Sequence, residues 1–210
     1  METKIFKPNQ IDQAAAEIKR GNLVSFPTET VYGLGADATN VDAVEKVYKA
    51  KGRPSDNPLI VHVADVKTVE KYALPLDEKT KKLIKAFWPG PLTIILKLKP
   101  NALSKKVTGG LDTAAFRNPD KQATIDLIKT AGVPLVGPSA NTSGKPSPTL
   151  AEHVYHDLHG KIAGILDAGA TEVGVESTVI DMSTKTPAIL RPGAVTQAKI
   201  EEVIGKDRKS

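Results

Sequence analysis

The order of short apolar segments along the chain is the feature that most restricts its fold. Segments with strand character, such as residues 59–63 and 92–98, alternate with segments of helical periodicity, such as residues 11–20 and 77–87. Several connections between them are too short for the helical crossover that joins parallel strands. The sequence therefore predicts an α/β protein of the α+β type, with a mixed parallel and antiparallel sheet flanked by helices.

The same periodicities and turn residues predict the remaining elements. Further helices are expected at residues 42–50, 124–131, 150–158 and 197–204, and further strands at 23–26, 114–116, 135–137, 164–166, 177–181 and 188–190. Asn9 is predicted to cap the first helix. Because no repeat or linker interrupts this pattern, residues 1–210 are expected to form a single domain.

Composition narrows the class of protein. Aromatic residues make up only 4% of the 210 positions, so the core is expected to be aliphatic. The absence of cysteine excludes disulfides, thiolate catalysis and Cys-ligated metals. No apolar segment reaches the length of a signal peptide or a membrane span, which predicts a cytoplasmic protein with no membrane partner. The net charge of +5 suits a nucleotide or nucleic acid, although surplus surface lysines give the same value.

Five segments combine cations or hydroxyl groups with glycine or proline, which no apolar core requires. They are residues 51–57, 109–117, 138–144, 176–178 and 190–193. We expect them to assemble one pocket for an anionic ligand from loops spread over most of the chain. In the first segment, Lys51, Arg53, Ser55 and Asn57 alternate, so they would share one side of an extended chain and suit a polyphosphate. A solvated charged turn after a helix explains the same alternation.

The serine-rich segment 138–144 follows a predicted buried strand. Its small residues would let backbone N–H groups approach a phosphate or a sugar, and Ser147 lies just beyond. A surface loop is the alternative interpretation. The spacing departs from the Walker A motif, and Gly137 and Ser139 do not belong to a G-x-S-x-G nucleophile elbow.

Polar residues after the first strand form another candidate site. Thr28, Glu29 and Thr30 would suit a small zwitterion, with glycines at positions 33 and 35 permitting close approach. A tight strand-to-helix turn explains the same residues. His62 interrupts an apolar strand, so it is either a core histidine with satisfied hydrogen bonds or a donor in a pocket.

Three groups of charged residues are predicted to be solvated rather than functional. A spacing of three drifts around a helix, so surface positions are expected in place of a metal site for His153, His156 and His159. The lysines of residues 79–85 lack the interleaved aromatic residues of a surface that binds single-stranded RNA. The basic residues 206–210 are expected to form a solvated end.

Seven motifs occur in the order seen in YrdC-type proteins. They are PTETVYGLG, KGRPSDNPL, WPGPLTIIL, GLDTAAFRNP, PSANTSGKPSPT, ESTVID and ILRPGA. From about Ile5 to Ile204 the chain resembles the L-threonylcarbamoyladenylate synthases of that family in their short, single-domain form. The resemblance implies a YrdC-like fold, a twisted mixed sheet with a positively charged concave face.

The resemblance also implies an activity. Family members are nucleotidyltransferases that join L-threonine, bicarbonate and ATP, with Mg²⁺, into L-threonylcarbamoyl-AMP and release pyrophosphate. This is the first step of the tRNA modification t6A. The expected partners are these substrates, a downstream tRNA threonylcarbamoyl-transfer complex, and RNA or tRNA contacted through the basic face.

Site residues follow from the resemblance position by position. Lys51 and Arg53 are implied as catalytic residues near the triphosphate. The implied L-threonine contacts are Thr30, His62, Arg117, Gly137 and Ser177. The implied ATP contacts are Arg53, Asn57, Thr113, Ser139, Ser147 and Arg191. No metal ligand is assigned.

Two alternatives stay open at this point. An RNA-binding module without catalysis would use the same basic charge, and RNA binding with a steep salt dependence but no ATP turnover would identify it. Related domains also handle carbamoyl adenylates in hydrogenase maturation. Those domains occur within larger chains that carry zinc-finger and acylphosphatase-like parts, which this sequence lacks.

Overall fold

A computed structural model describes residues 1–54 and 57–206 of the chain. Within these ranges the strands are β1 (Lys4–Phe6), β2 (Val24–Pro27), β3 (Tyr32–Asp37), β4 (Ile60–His62), β5 (Leu92–Lys97), β6 (Thr113–Arg117), β7 (Leu135–Val136), β8 (Gly164–Leu166), β9 (Thr178–Asp181) and β10 (Ala188–Arg191). The helices are α1 (Ile11–Lys19), α2 (Val41–Lys51), α3 (Val66–Tyr72), α4 (Glu78–Phe87), α5 (Lys105–Thr108), α6 (Gln122–Ala131), α7 (Ala151–Leu158) and α8 (Gln197–Ile204), with a 3₁₀ turn at Pro8–Gln10.

The strands form one hydrogen-bonded sheet in the order β1-β8-β2-β3-β7-β4-β6-β5-β9-β10. The pairs β1/β8, β2/β8, β4/β6 and β5/β9 are parallel. The pairs β2/β3, β3/β7, β4/β7, β5/β6 and β9/β10 are antiparallel. The predicted mixed sheet flanked by helices is therefore confirmed.

The buried apolar residues form two clusters. In the smaller one, α1 and α6 pack against the sheet around Ile18, Phe26 and Leu127. The larger one includes residues of α2, α4 and α8, and its aromatic members are few, as the composition predicts. In the part of the chain described above, no helix is long and apolar enough to cross a membrane.

Local sequence signals set most of the helix ends. Side chains at the N-caps of α2, α3, α4 and α8 each accept a hydrogen bond from a backbone N–H of the first turn; they are Asn40, Asp65, Asp77 and Thr196. Gly52 ends α2 in the left-handed conformation, with φ of 66°. The chain therefore turns sharply between Lys51 and Arg53.

The predicted cap at Asn9 is wrong. The chain first forms the 3₁₀ turn at Pro8–Gln10, and α1 starts at Ile11 without a side-chain cap. Pro8 favours the first position of a helical turn, and the Gln10 side chain accepts a hydrogen bond from the Lys7 N–H at 2.8 Å. The helical turn thus starts before the position that Asn9 would have capped.

Strand pairing brings the predicted loop segments together. The parallel strands β4 and β6 place His62 directly beside Arg117. β7 leads into residues 138–144, and β2 leads into residues 28–31. The parallel strands β5 and β9 pair Leu92 with Thr178, which positions Ser177 at the same end of the sheet.

Candidate active site

A cavity of about 280 Å³ lies where these segments meet. Its polar and charged lining residues are Thr28, Thr30, Arg53, His62, Arg117, Ser139, Glu176, Ser177 and Arg191. Gly137 also contributes to the wall. Three arginines against one glutamate make the lining positive, so the cavity favours an anionic ligand.

Most of the residues implied by the family resemblance line this cavity, but four of them do not. Asn57 is exposed, and Thr113 starts β6 outside the lining. The Ser147 hydroxyl lies 3.2 Å from the carboxylate of Glu176, so Ser147 is one contact away from the cavity. Lys51 is buried beside the cavity, where its Nζ donates to the carbonyl of Ser139 in the cavity wall. Ser55, singled out in the same motif, lies outside the described residues.

Arg117 is fixed on three sides. Its Nε donates to the Gly90 carbonyl at 3.2 Å, one terminal nitrogen donates to the Thr30 hydroxyl at 3.2 Å, and the other forms an ion pair with Glu29. The second oxygen of Glu29 accepts from the Asp120 N–H at 2.9 Å. Burial, and then repulsion by Arg191, lower the pKa of Arg117 to about 9, which leaves it charged at neutral pH.

Glu29 therefore has a different role from the one that its motif suggested. The sequence proposed it, with Thr28 and Thr30, as a ligand for a zwitterion. Its carboxylate is instead bound to Arg117 and to the Asp120 amide, while both threonines line the cavity. The sequence signal for this role is weak, because the two partners of the ion pair are separated by 88 positions.

His62 faces the cavity as a neutral imidazole. It is 2% exposed, and its Nδ1 has no hydrogen-bond partner. Burial lowers its pKa from 6.5 to about 4. Phe26 packs edge-on against the ring, with 5.2 Å between centroids. Of the two interpretations of His62, the structure favours the pocket residue.

Gly137 lies against His62 because no side chain fits there. A Cβ atom at this position would lie 2.5 Å from the Phe26 ring and 2.8 Å from the His62 ring. The glycine thus lets the imidazole approach the chain that leads into residues 138–144.

Arg191 joins β10 to the segment before β9. Its Nε and one terminal nitrogen donate to the Ser177 carbonyl at 3.1 and 2.7 Å. Its other terminal nitrogen pairs with Glu176 at 3.1 Å. The Ser177 hydroxyl is also 2.7 Å from the hydroxyl of Thr93.

The sequence missed Thr93 as a supporting residue of the site. The signal for it was a threonine inside an otherwise apolar strand, next to Leu92 and Ile94. Because Thr93 is fully buried, its hydroxyl requires a partner, and Ser177 is that partner.

The histidines on and just after α7 are exposed. Among the described residues there is no group of three or more His, Asp or Glu side chains that could hold a metal ion. His159 stacks on Tyr155, and His156 lies beside Asp157. The predicted surface position of these histidines is confirmed.

Fold and cavity together define a class: an α/β protein whose mixed sheet carries an arginine-lined cavity built from loops. The sequence model of the Sua5/YciO/YrdC family, described as "Telomere recombination", matches residues 16–193. This chain belongs to that family, and the resemblance to YrdC-type proteins is confirmed.

Individual relatives agree with this assignment. The threonylcarbamoyl-AMP synthase of Bacillus subtilis (strain 168) is 59% identical over 93% of this chain and 57% of that protein. The crystal structure of P. abyssi Sua5 complexed with L-threonine has a TM-score of 0.94 and 47% identity, over 99% of this chain and 62% of that one. E. coli YciO, at 21% identity and a TM-score of 0.84, shares the fold over 94% of this chain and 99% of its own. The chain thus spans about 57% of the length of the B. subtilis relative.

Proposed function

We propose that this chain catalyses the formation of L-threonylcarbamoyl-AMP from L-threonine, bicarbonate and ATP. The observation that carries the proposal is the single cavity in which three arginines, a neutral histidine and several hydroxyl groups converge. Relatives named threonylcarbamoyl-AMP synthase, and a family structure complexed with L-threonine, support the choice of substrate.

The L-threonine side of the proposed site contains Thr30, His62, Arg117, Gly137 and Ser177. Arg117 pairs with a carboxylate, either that of threonine or the N-carboxylate formed from its amine. Because His62 stays neutral, its imidazole adds a hydrogen-bonding group without a competing charge. Gly137 supports the site by making room for that imidazole.

The ATP side of the proposed site contains Arg53, Ser139 and Arg191 in the cavity lining and extends beyond it to Asn57, Thr113 and Ser147. Mg²⁺ would enter with ATP and would help to neutralise the charge of the phosphates. Glu176 is the one carboxylate among the described residues that line the cavity. Arg53 serves as the proposed catalytic cation at the triphosphate.

The chemistry joins two anions, so charge neutralisation and positioning are the main tasks of the site. The threonine amine attacks CO₂ and loses a proton, or attacks bicarbonate and expels water, and either route gives an N-carboxylate. One oxygen of that carboxylate then attacks the α-phosphorus of ATP. The bond between the α-phosphorus and the bridging oxygen breaks, and pyrophosphate leaves with its electron pair. No covalent intermediate with the protein is required.

The product serves the t6A modification of tRNA, and we extend the proposal to a downstream tRNA threonylcarbamoyl-transfer complex that receives it. Direct contact with tRNA through a basic face belongs to the same proposal. The net charge of +5 supplies the long-range attraction that such a contact needs.

The test is an assay of pyrophosphate release and adenylate formation with radiolabelled ATP, Mg²⁺ and bicarbonate. We expect turnover that requires both L-threonine and bicarbonate and that is absent with glycine or serine. A folded protein that shows no turnover but binds RNA with a steep salt dependence would contradict the proposal and identify an RNA-binding module.

A further inference from the structure

Lys51 is the last residue of α2, and its ammonium group is buried against the segment 138–143. The side chain is only 4% exposed. Its Nζ donates to the carbonyl of Ser139, and to the carbonyl of Asn141 at 2.8 Å. The backbone carbonyl of Lys51 in turn accepts from the Ser143 N–H at 3.0 Å. One residue therefore makes three hydrogen bonds to this segment.

The opposite side of the segment is bound to β3. The Pro138 carbonyl accepts from the Leu34 N–H at 2.7 Å, and the Ala140 N–H donates to the Tyr32 carbonyl at 2.8 Å. Residues 138–143 are thus held between β3 and Lys51, while Pro138 and Ser139 form part of the cavity wall.

Burial of an ammonium group is unfavourable unless its hydrogen bonds compensate. Burial, and then repulsion by Arg53, lower the pKa of Lys51 to about 8, and attraction by Glu176 opposes this change. The group is mainly protonated at neutral pH, so its bonds to the two carbonyls are charge-assisted. The Lys51 side chain is therefore held in place by its hydrogen bonds to the backbone of the segment.

We propose that Lys51 is a positioning residue, which holds residues 138–143 as the nucleotide-side wall of the cavity without contacting the phosphates itself. The inference rests on the proposed function, because it assumes that ATP is the ligand on this side. It differs from the role that the family resemblance implies for Lys51, which is that of a catalytic cation near the triphosphate.

Three variants test the proposal. Lys51→Met keeps the length and the apolar stem of the side chain but removes its donors. Lys51→Arg keeps a charge and donors for two carbonyls. Lys49→Met, at an exposed position in the same turn of α2, is the matched control. Amide hydrogen exchange of residues 138–143 reports the positioning directly, and calorimetric binding of a non-hydrolysable ATP analogue and of L-threonine reports the two halves of the cavity.

With Lys51→Met we expect exchange in residues 138–143 to accelerate about tenfold or more and the Kd of the ATP analogue to rise by a similar factor. The Kd of L-threonine should change less than about twofold, since Thr30, His62 and Arg117 are untouched. Lys51→Arg should restore most of both losses, and Lys49→Met should match the wild type. Unchanged exchange and analogue affinity in Lys51→Met, together with lost turnover, would overturn the proposal and assign Lys51 to the chemistry.

If Lys51→Met does not fold, the pH dependence of hydrogen exchange in the wild-type protein tests the proposal instead. Above about pH 8 the protection of residues 138–143 should fall, after correction for intrinsic exchange, and Lys51→Arg should retain it. Protection that is independent of pH from 7 to 9.5 would overturn the proposal. Failure of the proposed function has a different signature: the wild type would bind neither the analogue nor L-threonine, while the exchange measurement would still report on Lys51.

Discussion

At the scale of single residues, the ion pair of Glu29 and Arg117 stabilises the proposed threonine side of the cavity. Both side chains are almost fully buried, and the carboxylate also binds a backbone amide. Removal of one partner leaves an uncompensated charge on a buried side chain. The pair therefore has consequences for stability that an exposed pair does not have.

We predict that Glu29→Ala lowers the free energy of unfolding by about 3 kcal/mol or more. The matched control is Glu78→Ala, which breaks an exposed pair with Lys81 and should cost less than about 1 kcal/mol. Urea unfolding followed by the fluorescence of the single tryptophan, Trp88, measures both. Equal losses in the two variants would show that the buried pair contributes no more than a surface pair.

The neutral state of His62 predicts a loss of stability in acid. Its pKa is about 4 in the folded protein and 6.5 otherwise, so the unfolded chain binds more protons as the pH falls from 6.5 towards 4. The contribution of neutral His62 to the free energy of unfolding is fully present above pH 6.5. About 2 kcal/mol of this contribution should be lost at pH 5.

Comparison of urea unfolding at pH 7.5 and pH 5 tests this prediction. His62→Gln should lose about 2 kcal/mol less than the wild type between the two values. His153→Gln, at an exposed position on α7, should behave as the wild type does. A pH dependence that is the same in all three proteins would contradict a neutral buried His62.

At the scale of elements, periodicity predicted the strongly patterned segments and missed those whose geometry depends on tertiary contacts. The elements at residues 164–166 and 197–204 have the predicted bounds, and most others agree within a few positions. β3 was not predicted, since its glycines were interpreted as permitting the close approach of a ligand or as part of a tight turn. A Cβ atom at Gly35 would lie 2.6 Å from the Val24 carbonyl and 2.8 Å from the Phe26 ring, so this glycine serves the strand pairing itself.

The short elements β1, α3 and α5 were also missed. The set of loops that form the cavity was predictable from residue chemistry and from the family motifs. The acceptors of Lys51 and the partner of Glu29 were not, since both depend on the path of the chain through the sheet.

The close packing after β10 leads to a prediction for Gly193. A Cβ atom there would lie 2.5 to 2.6 Å from backbone atoms of residues 176–178, which cannot move as a flexible side chain would. Gly193→Ala should cost about 1–3 kcal/mol of unfolding free energy and displace Arg191 from Ser177. Affinity for an ATP analogue should therefore fall along with stability.

Gly132→Ala is the control for Gly193→Ala. Gly132 ends α6 with φ of 74°, and a Cβ atom there would meet nothing within 4 Å. Gly132→Ala should lower the free energy of unfolding by about 1–2 kcal/mol through backbone conformation alone. The affinity for the ATP analogue should stay unchanged. Parallel losses of affinity in the two variants would show that global destabilisation, and not the packing of the segment around Gly193, is responsible.

At the scale of the whole molecule, the cavity walls come from strands along most of one sheet, so ligand binding should stabilise the molecule as a unit. ATP analogue or L-threonine at about 100 times its Kd should add about 2.7 kcal/mol to the free energy of unfolding. Trp88 fluorescence and far-UV circular dichroism should report the same transition. Glycine in place of L-threonine is the control, and separate transitions for the two probes would contradict a single cooperative unit.

The order of strands in the sheet also has a consequence for how the molecule folds. β1 pairs with β8, and the Thr3 hydroxyl bonds the Ile162 carbonyl 159 positions away, while the cavity needs side chains from Thr28 through Arg191. Such long-range pairing makes folding slow, because the entropy of closing large loops is lost before the contacts compensate for it. The cavity is therefore among the last features to form, and binding of an ATP analogue during refolding should lag behind the recovery of helical signal.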